Sequence, residues 1–173
     1  MFSKVNWFNT FLYGTLAAIA FSIPALFYVL DETYMASWLL FLGAGLFFAV
    51  TAVHTYRESR LRGGNESTVT LVFISHVTTI VGIIISCILA FLMLSVLVPG
   101  YLSPGDTDKA MEMAPPNSIF DKTDGLSFKL FMAATIVNFA GGSIAGITIP
   151  FYAKRNQTRD SKEPSPLQQR TVS

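Results

Sequence analysis

Charged side chains are absent from four long stretches of this chain, residues 5–30, 33–56, 67–105 and 130–153, and crowd into the segments between them. A helix needs about 20 mainly apolar residues to cross a bilayer, at a rise of about 1.5 Å each, and each stretch is long enough. In hydrocarbon the backbone must satisfy its own hydrogen bonds, which a continuous helix does. The pattern predicts an all-α fold: a four-helix transmembrane bundle, antiparallel and up-down-up-down, with spans at about 8–30, 35–56, 68–98 and 128–152. Residues 1–155 make the four-span membrane domain, with a long loop at 99–126. Residues 156–173 offer almost no apolar surface to bury and are expected to be a disordered cytoplasmic tail.

Basic residues set the orientation. Lys4, Arg57, Arg60, Arg62, Lys154, Arg155, Arg159, Lys162 and Arg170 are 9 of the 12, and all fall at one end of the predicted bundle. Short loops rich in Lys and Arg stay cytoplasmic, so both termini are expected inside. The opposite end carries Asp31 and Glu32 in a tight connection, and five acidic against two basic residues in the 99–126 loop. With a net charge of only +1 and no basic stripe, nucleic-acid binding is excluded as an expectation. Cys87 is the single cysteine, so an internal disulfide is excluded as well.

Lipid tails are as apolar as leucine, so no hydrophobic force drives one span against another. Close backbone approach over small residues and hydrogen bonds between helices do it instead. Small or polar residues recur at helical spacing in every span, and the positions expected to pack are Gly14 and Ala18, then Gly45 and Ala49, then Gly82 and Ser86, then Asn138, Gly141, Gly142, Ala145 and Gly146. The pair Gly142 and Gly146 also has the spacing of a dimerisation motif, although packing within the chain explains it as well.

Reactive groups are few. His54 and His76 are the only histidines, and they lie on consecutive spans near the same end. Two imidazoles on facing helices can hold a haem iron, which makes them a candidate cofactor-binding pair; a divalent metal site would need further ligands that this pair lacks. Apart from Lys129 at the edge of the fourth span, the spans hold no Asp, Glu, Lys or Arg, which argues against a proton relay, a voltage sensor or a carrier of charged substrates. Asn138, with Thr79 and Ser86, could line a route for a small neutral solute, or join helices by hydrogen bonds.

Tyr56-Arg57-Glu58 ending the second span, the hinge Gly63-Gly64, a third span led by Ser67, and Lys154-Arg155 closing the fourth resemble a group of uncharacterised bacterial four-pass membrane proteins. That resemblance covers about a third of the chain. It implies a bacterial inner-membrane location and the same fold, and assigns no activity or site residue. The leading expectation is a non-enzymatic membrane protein, a structural or accessory subunit of a membrane assembly or a homo-oligomer, with the lipid bilayer and a membrane-protein partner as its surroundings. A haem-binding electron-transfer subunit and a neutral-solute channel or carrier are the alternatives.

Overall fold

The computed structural model describes residues 5–31, 36–61, 67–98, 101–102 and 120–160, and these are helical with short connections. Helix α1 spans Trp7–Leu30, α2 Trp38–Leu61 and α3 Thr68–Leu97. The fourth helix, α4, runs over 120–160 as Phe120–Met132, a π-helical turn Ala133–Val137, and Asn138–Asp160. All 4 are long and apolar enough to cross a membrane, and among the described residues there is no strand. Large apolar side chains such as Phe8, Ile23, Phe27, Phe41, Val96, Ile147 and Phe151 cover the outside. A surface of this kind suits lipid rather than water.

Helix ends follow local chemistry. Asn6 caps α1 by accepting the Asn9 amide at 3.3 Å, and Ser67 caps α3 by accepting the Thr70 amide at 3.2 Å. The second helix continues past its apolar stretch to Leu61 and carries Arg57 and Arg60. Two boundaries need correction. The fourth helix starts at Phe120, inside the expected 99–126 loop, and continues to Asp160, so residues 156–160 of the expected disordered tail are helical. Residues 161–173, most of the 99–126 loop and the Gly63-Gly64 hinge lie outside the described residues.

Consecutive helices are antiparallel. Tyr13 of α1 meets His54 and Arg57 of α2, while Phe21 lies against Gly43. Thr55 of α2 meets Ser75 of α3, and Gly146 of α4 approaches the same serine. The order around the bundle is nevertheless not the chain order. Helix α1 packs along both α2 and α3, α4 packs along the same two, and α1 and α4 sit on opposite sides. Parallel helices α1 and α3 are therefore neighbours, and their backbones approach each other closely.

That approach occurs where Gly14 crosses Gly82. A Cβ placed on Gly82 would stand 3.1 Å from the Gly14 carbonyl oxygen, and one on Gly14 would stand 3.2 Å from both the Gly82 nitrogen and the Thr78 oxygen. Below this crossing, towards Asp31, the core is mainly apolar: Phe21, Ala25, Tyr28, Leu40, Ala90, Leu94, Leu126 and Leu130 form one cluster with Phe47. Towards Arg57 the buried residues change character. The bundle has an apolar half and a polar half.

Candidate functional site

The polar half is built from the inward faces of α1, α2 and α3. Thr10, Thr51, His54, Thr55, Ser59, Ser75, Thr78 and Thr79 are all buried there. Most of them meet the need for partners in the way helices allow, by donating to the carbonyl one turn earlier. Thr55 donates to Thr51 O at 2.8 Å, Ser59 to Thr55 O at 2.8 Å, Thr78 to Ile74 O at 3.0 Å and Thr79 to Ser75 O at 3.0 Å. Each hydroxyl then keeps its lone pairs for a neighbour on another helix.

Two such bonds join α2 to α3. Ser75 Oγ lies 2.8 Å from Thr55 Oγ1, whose proton is committed to Thr51, so Ser75 is the donor. His54 Nδ1 lies 3.3 Å from Thr78 Oγ1, which also donates to Ile74 O. A third contact brings in α1: the Tyr13 ring lies 4.7 Å from that of His54, tilted by 38°. Arg57 caps the stack from outside, its Nη1 donating to the Tyr13 hydroxyl at 2.5 Å and its guanidinium 5.8 Å from the ring centre. Glu58, one turn beyond His54 on α2, is only 6% exposed, and Arg57 beside it is exposed.

Thr55→Val is expected to keep the shape of this cluster and lose one bond between helices. A destabilisation of about 0.6 kcal/mol follows from measured bonds of this kind in membranes. Reversible unfolding in mixed micelles checks it, and a loss several times larger would mean that the hydroxyls act as a cooperative network.

His54 and His76 are not brought together. His54 faces Tyr13 and Thr78, whereas His76 bonds its own Val72 carbonyl through Nδ1 at 2.8 Å and presents its ring to Phe139 of α4 at 6.3 Å. The phases of the two helices turn the two rings to different neighbours. Among the described residues no group of 3 or more His, Cys, Asp and Glu side chains gathers as a metal site.

Of the positions expected to pack helices, Gly14, Ala18, Gly82, Ser86, Asn138, Gly142, Ala145 and Gly146 are buried, and Gly141 is half-buried against Phe48. Gly45 and Ala49 need correction: both are exposed, and nothing lies within 4 Å of a Cβ built on Gly45. Gly43 and Ala44 occupy the inward face of α2 instead, with a Cβ on Gly43 only 2.8 Å from the Phe21 carbonyl.

Asn138 follows directly on the π-helical turn, a local widening that the sequence does not announce. A π turn shifts the backbone register and frees carbonyls from their usual donors. The Asn138 side-chain amide donates to one of them, Ala134 O, at 3.2 Å, while its Oδ1 has no partner among the described residues. The side chain thus mends its own helix. No family model, curated protein or solved structure matches this chain.

Proposed function

We propose that this chain is a non-enzymatic integral membrane protein, a structural or accessory subunit of a bacterial inner-membrane assembly with both termini in the cytoplasm. One observation carries the subunit role: α2 turns Gly45 and Ala49 outwards, where the fold itself makes no use of them. Small residues on an outward face allow a second helix to approach the backbone closely, the main source of attraction between helices in lipid. The basic residues gathered at the Arg57 end support the orientation. The bacterial inner membrane is supported by the resemblance of the Tyr56-Arg57-Glu58 boundary and the Ser67-led span to bacterial four-pass proteins.

Copurification from mild detergent tests the role. The native chain is expected to migrate as a complex, with copies of itself or with a membrane partner. Gly45→Leu is expected to release the monomer while leaving its thermal stability within about 0.5 kcal/mol, the usual range for a surface change that touches nothing. A chain that is monomeric before any substitution, with no partner retained, contradicts the proposal.

A further inference from the structure

From the arginine end of α2 we infer a binding site for the phosphate of an anionic phospholipid, formed by Arg57 and Arg60 on the outer surface between α1 and α2. The two residues are exposed and three positions apart, so they are neighbours on one helix face. Each is held over an aromatic ring. Arg57 lies over Tyr13 and bonds its hydroxyl, and the Arg60 guanidinium sits 5.6 Å from the centre of the Tyr56 ring. Stacking of this sort fixes a guanidinium without using its in-plane donors, and a fixed planar fork matches phosphate oxygens two at a time.

Local charge favours an anion. The two arginines are exposed, whereas the nearest acid in sequence, Glu58, is buried on the inward face of the helix. Two guanidinium groups at this spacing repel each other unless an anion lies between them. Among the described residues, one of the five N–H donors on Arg57 is used, in the bond to Tyr13.

Position selects a lipid headgroup. Val53 and Tyr56, directly preceding the arginines, are exposed apolar and aromatic residues on the lipid-facing surface. The arginines therefore stand where hydrocarbon gives way to headgroups, the depth at which tyrosine rings collect. A zwitterionic headgroup carries its own cation beside the phosphate, so an anionic lipid such as phosphatidylglycerol is the better ligand. The inference rests on the membrane placement of the chain and not on the subunit role.

The full chain in nanodiscs containing equal phosphatidylglycerol and phosphatidylcholine provides the test, with retained lipids counted by native mass spectrometry. Phosphatidylglycerol is expected to be enriched. Arg57→Gln and Arg60→Gln should each lower that enrichment about fivefold, the usual weight of one basic residue at an anionic surface. Inorganic phosphate at the same concentration should leave it unchanged. Wild-type enrichment in a folded double Gln variant overturns the inference, as does displacement by inorganic phosphate, which would make the ligand a soluble anion. Should the double Gln variant fail to fold, Arg57→Lys with Arg60→Lys carries the test: it keeps the charge without the fork, and undiminished enrichment there contradicts the guanidinium site. Recovery of the chain free of lipid in aqueous buffer would instead contradict the membrane placement itself.

Discussion

Gly82→Leu is expected to lower the stability of the bundle by about 3 kcal/mol or more, at the upper end of what overpacking produces. Its Cβ would stand 2.8 Å from Cε2 and 2.9 Å from Cζ of Phe47, and 3.1 Å from the Gly14 carbonyl oxygen. A ring can tilt away, but the Gly14 backbone is part of α1 and cannot move without pushing the whole helix outwards. Separating α1 from α3 removes the short-range attraction on which association in lipid depends. Helix content by circular dichroism should remain, because each span satisfies its own backbone bonds. Steric trapping or denaturant unfolding in bicelles measures the loss. A Gly82→Leu protein as stable as Gly45→Leu would contradict the Gly14–Gly82 crossing.

Phe47→Ala removes the ring that fills the space beneath that crossing and is the second large expected effect. The side chain is fully buried and joins the apolar cluster at the point where the polar half begins. In water such a truncation costs about 3–5 kcal/mol. Part of that is transfer from water, which lipid does not supply, so about 2–3 kcal/mol from lost contacts is expected here. The two sites should be coupled. Because the Phe47 ring is the first thing a Gly82 Cβ meets, Phe47→Ala with Gly82→Ala should destabilise by less than the sum of the two, by about 1 kcal/mol. Strict additivity would mean that the ring and the glycine do not share this space.

The spans were legible because charge is excluded from hydrocarbon, and that signal is strong wherever Asp31, Arg57 or Lys154 interrupts an apolar run. The inward faces were less legible. Core and lipid are both apolar, so a span has no polar side to mark the outside. On α2 the sequence Gly43-Ala44-Gly45 offers small residues on opposite sides, since positions two apart are turned by about 200°. Only packing decides between them: Phe21 and Phe47 require Gly43 and Ala44 inside, which leaves Gly45 and Ala49 outside. On α3 and α4 the small residues picked out by spacing are buried, with Gly141 half-buried. The hydroxyl cluster was visible in the sequence only through Thr79; Thr51, Thr55, Ser75 and Thr78 look like ordinary residues of an apolar span until α3 is set beside α2. The pairing of His54 with Tyr13 depends on helix phase, which single-sequence spacing does not give. The π turn at Ala133–Val137 has no composition of its own.

The four-crossing topology is tested most directly by labelling single cysteines with a membrane-impermeant maleimide on intact cells. In a Cys87→Ser background, Thr107→Cys is expected to react and Ser161→Cys to react only after the cells are opened. Reaction of Ser161→Cys on intact cells, or protection of both positions, would contradict an even number of crossings with the arginine-rich end inside.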